Sequence, residues 1–157
     1  MAMDTTALNC AGLSGAPGGV VEGRAEIFQM TQAAEEAVLR PRDCGPWSHE
    51  LRAALAARIA VQNNERALAG QYLAGAGAYA PLAEPSHGGA AEGLEAVVAF
   101  MDKVATDTRN VAAADISNLQ AAGIADADIV RLCELNAFLA YQIRVISGLR
   151  LMKRAYA

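Results

Sequence analysis

The chain has 157 residues and a mass of 16.3 kDa, a net charge of −4 and a pI near 5.1. This length suits one domain, or two small pseudo-repeats sharing a core, and the acidic balance with scattered Lys and Arg argues against a nucleic-acid partner. Aromatic residues are 5% and alanine occurs 36 times, a composition that excludes disulfide scaffolds, collagen and most all-β folds and predicts close-packed helices.

Residues 1–23 are small and rich in glycine, which predicts an irregular arm with a helical turn near Ala7 to Ala11. The N-terminus, Met1-Ala-Met-Asp-Thr-Thr, lacks a basic start and a cleavable apolar stretch, so a cytoplasmic protein is expected. The first helical half covers 24–79. Ile27, Met30, Ala34 and Val38 recur at helical spacing until Pro41 stops them. Asp43-Cys-Gly-Pro-Trp47 is a turn, and Ser48 is a predicted N-cap with Glu50 in the first turn. Leu51, Leu55 and Ile59 then define one buried face, and the alanines at 53, 54, 56, 57 and 60 allow a neighbouring backbone to approach closely. Gln62-Asn63-Asn64 interrupts the apolar run, and Asn64 is the predicted cap of a further helix carrying Leu68, Tyr72 and Leu73.

A loop at 80–90 with two prolines and two glycines divides the chain. In the second half, 91–157, Leu94, Val97, Val98, Met101 and Val104 form an amphipathic helix ending near Asp107. Asp115 to Ala122 is a short helix closed by Gly123 in a left-handed position. Asp126 opens the longest helix, with Ile129, Leu132, Leu135, Leu139, Ile143 and Ile146 as its stripe. Its longest apolar window is broken by Arg131, Glu134 and Arg144, so no membrane partner is expected. The prediction is an all-α chain of six to seven helices.

Chemistry-bearing motifs are sparse. Cys10, Cys44 and Cys133 form no C-x-x-C pair, and the odd count points to free thiols in a reducing compartment. His49 and His87 have no imidazole partner at helical spacing, and Gly15 to Gly19 carries no lysine, so neither a metal nor a cofactor is expected. Two carboxylates stand out, Glu50 and Glu65, with Arg58, Arg66, Gln62 and Tyr72 nearby in sequence. On one straight helix they would lie roughly 22 Å apart, and only a break at 62–64 would let the second helix fold back. Each also fits the plain role of an acid at a helix start. Arg144, next to Gln142 and Tyr141, is a further candidate for substrate binding, and equally for bonding to helix carbonyls.

The segment Glu50-Leu-Arg-Ala-Ala-Leu-Ala-Ala-Arg-Ile-Ala-Val61 resembles the signature helix of the carboxymuconolactone decarboxylase-like, alkylhydroperoxidase-D-like superfamily. Ala114 to Val130 and Asn136 to Arg144 are similar to the C-terminal half of its peroxidase-related members. Ala11 to Gly15 with Gly23 to Phe28 resembles a subgroup known as CMD domain proteins, so the likeness spans nearly the whole chain. It implies an antiparallel helical bundle with two pseudo-repeats that assembles as a homo-oligomer (dimer, trimer or hexamer). Active members carry a Glu early in this helix, a C-x-x-C pair at its far end and a His one turn on. Matching Glu50 to that Glu places Gln62 and Glu65 at the cysteine positions and Ala69 at the histidine position. A disulfide peroxidase needs one thiolate to attack and a second thiol to resolve, which neither Gln nor Glu supplies. Three functions follow as expectations. The first is a non-catalytic binding or partner subunit, paired with an active paralogue. The second is a thiol-free acid–base enzyme of the decarboxylase type, with Glu50 or Glu65 as base and Arg58, Arg66 or Arg144 clamping a small carboxylated metabolite. The third is a peroxidase-related oxidoreductase using an isolated cysteine, Cys44 or Cys133.

Overall fold

The computed structural model describes residues 4–13 and 19–155. Within them the chain forms eight α-helices and three short 3-10 turns, with no strand among the described residues. The helices are α1 (Thr6–Ala11), α2 (Gly19–Glu22), α3 (Ala25–Leu39), α4 (His49–Gln62), α5 (Arg66–Leu73), α6 (Glu95–Thr106), α7 (Ala113–Ala121) and α8 (Asp126–Ala155). The all-α prediction holds, and the extra helices are the short α1 and α2 within the arm. Ser14 to Gly18, the centre of that arm, lies outside the described residues.

α4 is the axis of the molecule. Ser48 caps it as predicted, its Oγ accepting the Leu51 N–H at 3.2 Å. The sequence pattern marks one buried face, yet every residue from Leu51 to Ala60 is buried. α3, α5, α6, α8 and the 3-10 turn at Gly77–Ala83 all pack on it. Ala54, Ala56, Ala57 and Ala60 are fully covered, and their small side chains are what let neighbours surround a single helix. Leu55, Ile59, Leu68, Leu82, Met101, Leu132, Leu135 and Leu139 fill the layers around it. α8 runs the length of the bundle against α1, α3, α4 and α6. No helix among the described residues is long and apolar enough to cross a membrane.

Two local readings are corrected. Asn64 does not cap α5. It takes the left-handed conformation (φ 60°) that follows α4, which Asn tolerates better than most residues, and Glu65 stands at the N-cap. The Glu65 N–H meanwhile returns to the Ala60 carbonyl at 2.9 Å. The second correction concerns α3. The apolar series Ile27, Met30 and Ala34 faces outward, with Ile27 47% and Met30 67% exposed, while Val38 is half-buried. The buried side carries Phe28, Thr31, Glu35 and Leu39. Partners supplied by distant segments hold this orientation. Thr6 and Gln142 bond Glu35, and Thr31 shares a 2.8 Å hydrogen bond with Tyr141.

The predicted boundaries elsewhere agree closely. Pro41 follows the end of α3, α6 stops at Asp107, and Gly123 (φ 85°) closes α7. Asp115 accepts the Ala112 N–H at 2.7 Å and pairs with Lys103 at 2.8 Å, which together hold its carboxyl below the usual range.

Candidate functional site

Of the residues singled out from the sequence, Arg58 has the most distinctive surroundings. It projects from α4, is 1% exposed, and meets Asp102 of α6 with a two-point fork, Nε to Oδ1 at 2.6 Å and Nη2 to Oδ2 at 2.7 Å. Its Nη1 donates to the carbonyls of Leu82, Glu84 and His87 at 2.8–2.9 Å, and Nη2 to that of Pro85 at 2.9 Å. Every N–H of the guanidinium is thereby engaged. The loop that divides the sequence is wound around this one side chain. Gln62 joins the cluster by donating to Asp102 at 2.6 Å.

Glu65 is 5% exposed and takes two contacts, 2.7 and 2.8 Å, from Nη1 of Arg150 on α8. Arg150 also donates to the Cys10 carbonyl at 2.9 Å, so the pair fastens α1 and α8 to the start of α5. Glu50 is exposed at the other end of α4, with roughly 18 Å of helix axis between it and Gln62. Its carboxylate lies over Gly77, where φ is +51° and any Cβ would overlap it. The chain does break at 62–64, as cooperation would require, yet Glu50 and Glu65 meet different partners. The fold does not bring them to one ligand position.

Tyr72 is buried on α5 and donates to Gln142 Oε1 at 2.6 Å. Gln142 Nε2 donates in turn to Glu35 at 2.8 Å, and Thr6 Oγ1 to the other Glu35 oxygen at 2.9 Å. Burial, reinforced by the Glu35 charge, pushes the Tyr72 phenol well above its ordinary 10.0. This chain of groups joins α1, α3, α5 and α8 in the core. Glu35, 3% exposed, was not foreseen from the sequence. The only signal was an acid on the face of α3 shared with Phe28 and Leu39, and the stronger apolar stripe on the opposite face masked it.

Arg66 and Arg144 remain at the surface. Arg66 and Asn64 edge a groove of about 410 Å³ between α4 and α5, whose other walls are Ala57, Val61, Ala69, Gly70, Leu73 and Ala83. Ala69, at the position matched to the family histidine, is therefore part of a largely apolar wall. Arg144 borders a separate, smaller cleft on α8.

The three cysteines are free and half-buried. Burial raises the Cys10 and Cys133 thiols above their usual range, which disfavours the thiolate that peroxide chemistry needs. Cys44 sits in the α3–α4 turn, and its carbonyl accepts from Arg52 Nη2 at 3.0 Å. Among the described residues no group of three or more His, Cys, Asp or Glu side chains is arranged to hold a metal ion. Comparison of the chain with family models, with curated proteins and with solved structures finds no match.

Proposed function

We propose that the chain is a non-catalytic binding or partner subunit, a cytoplasmic CMD domain protein of the carboxymuconolactone decarboxylase-like, alkylhydroperoxidase-D-like superfamily with a degenerate site. One observation carries this reading: three of the candidate side chains around the signature helix, Arg58, Glu65 and Tyr72, are committed to structural bonds. Arg58 binds four loop carbonyls and Asp102, Glu65 is held by Arg150, and Tyr72 is held by Gln142. A group so engaged cannot also bind a substrate without leaving buried partners unsatisfied. The groove at the position matched to the family histidine offers mainly alanine, valine, leucine and glycine to a ligand, with Asn64 and Arg66 beside them.

The test is turnover. Peroxide consumption with a dithiol, and decarboxylation of small carboxylated lactones, are both expected at the level of buffer alone. Lactone turnover abolished by Glu50→Gln would replace this reading with the acid–base enzyme. Peroxide turnover lost when Cys44 and Cys133 become Ser would replace it with the oxidoreductase.

The assembly proposed is a homo-oligomer formed through the outer face of α3. Ile27, Met30 and Ala34 follow the spacing of a helix–helix seam, and Tyr141 extends the exposed apolar surface. An antiparallel second copy sets Ile27 against Ala34, with Met30 near the middle of the seam. Light scattering at micromolar concentration should give a multiple of 16.3 kDa, and Met30→Glu should shift it to the single-chain mass. A parent protein that is already monomeric would exclude this assembly.

A further inference from the structure

Arg144 is bonded quite differently from Arg58. Its guanidinium makes one weak internal hydrogen bond, from Nη1 to the Ala140 carbonyl at 3.3 Å. It borders a cleft of about 110 Å³ enclosed by the end of α4, the end of α6 with the turn after it, and α8. Three neutral polar side chains share the lining, and each gives an N–H or O–H to a backbone carbonyl. Asn136, 2% exposed, donates from Nδ2 to Met101 at 3.0 Å. Asn63 donates to Ile59 at 2.9 Å, and Thr108 donates to Val104 at 2.5 Å. Asn136 also gives its Nδ2 to the Met101 sulfur, so Asn136 and Thr108 have acceptor oxygen left, while Asn63 keeps one amide N–H beside its own oxygen. Ile59, Val104 and Ile143 supply apolar wall, and no acidic residue lines the space.

A ligand that satisfies this lining needs an anionic acceptor for the guanidinium and a neutral donor close beside it. A carboxylate with a hydroxyl on the adjacent carbon has both. An α-amino acid fits less well, because no carboxylate lines the cleft to pair with its ammonium. The cleft is also small, about 110 Å³, which favours the shortest members of the class. We propose that this cleft binds a 2-hydroxy carboxylate of two or three carbons. Arg144 holds the carboxylate, and Asn136, its amide plane fixed by Met101, accepts the hydroxyl. The site lies apart from the α4–α5 groove and depends on neither the family resemblance nor the lack of turnover.

The experiment is an amide chemical-shift titration of the full chain with glycolate and lactate, beside acetate, glycine and sulfate. Saturable shifts with glycolate or lactate, centred on residues 104–108 and 136–144, are the expected result. Acetate and glycine should bind at least about tenfold more weakly, as should glycolate to Arg144→Gln, since a charge-assisted pair is lost. Arg144 is exposed, and an unchanged melting temperature will show that the variant folds. No saturable shift up to about 10 mM of either hydroxy acid would overturn the proposal. So would equal binding of acetate, glycine or sulfate, or glycolate binding that Arg144→Gln leaves intact.

Discussion

Replacing Arg58 with Ala is expected to cost about 3–5 kcal/mol of folding stability, the range for removing one partner of a buried ion pair. Two effects add. Four carbonyls between Leu82 and His87 lose their shared donor, and the space left beside Ala54, Leu55 and Leu82 cannot be refilled by alanine. Asp102 softens the loss, because its side chain is 30% exposed and keeps the bond from Gln62. For a chain of this size the change corresponds to a fall in melting temperature of roughly 6–20 °C.

The location of the damage separates this from a generic core defect. Amides of residues 82–93 should exchange with solvent much faster in Arg58→Ala, while those of α8 slow or quicken only with global stability. Arg58→Lys should recover less than half of the loss, since one ammonium cannot reproduce a fork on Asp102 together with contacts to four carbonyls. A variant within about 1 kcal/mol of the parent, or an 82–93 segment as protected as before, would show that the guanidinium is not what fixes this loop.

That loop also shows where the sequence was informative. Its prolines and glycines announce the stretch without α-helix between α5 and α6, and Ser48, Pro41, Asp107 and Gly123 mark helix ends because caps and stops are local chemistry. Periodicity located α4, α6 and α8 for the same reason, each within a few residues of where it lies. What depends on distant partners was hidden. Arg58 reads as a substrate clamp until Asp102, 44 positions away, and the 82–87 carbonyls are seen to enclose it. Glu65 reads as a catalytic base until Arg150, 85 positions away, occupies it. α3 is the clearest case. Its apolar spacing is real, yet which side turns inward is decided by Thr6, Gln142 and Tyr141, none of them on that helix. Only Arg66 and Arg144, the candidates lying at clefts and not tied into the core, keep donors available for a ligand.

Removing Glu35 should be the second severe change, because it supports the polar chain at the centre of the bundle. Glu35→Ala strands the Thr6 hydroxyl and the Gln142 amide at a buried position, at about 1–3 kcal/mol for each unsatisfied group. The gain from no longer burying a carboxylate offsets part of this, so a net loss of about 2–4 kcal/mol is expected. Tyr72, at the far end of the chain, provides an independent check through pH. Its folded phenol holds its proton far more tightly than an unfolded one, whose ordinary value is 10.0. Above that pH the unfolded chain binds fewer protons than the folded one, so stability falls as pH rises. The contribution is complete below pH 10 and declines above it by up to about 1.4 kcal/mol per pH unit. Cys10 and Cys133, also raised by burial, add alkaline losses that begin near their ordinary 9.0 and are shared by parent and variant. Tyr72→Phe should therefore be about 1–2 kcal/mol less stable than the parent at pH 7, where Gln142 loses its donor. The gap should narrow by about 1.4 kcal/mol between pH 7 and pH 11, because phenylalanine has no proton to lose. Urea midpoints at pH 7, 9, 10 and 11 measure this directly. Profiles that stay parallel across the alkaline range would mean that the Tyr72 phenol is not held in the buried, Glu35-facing position.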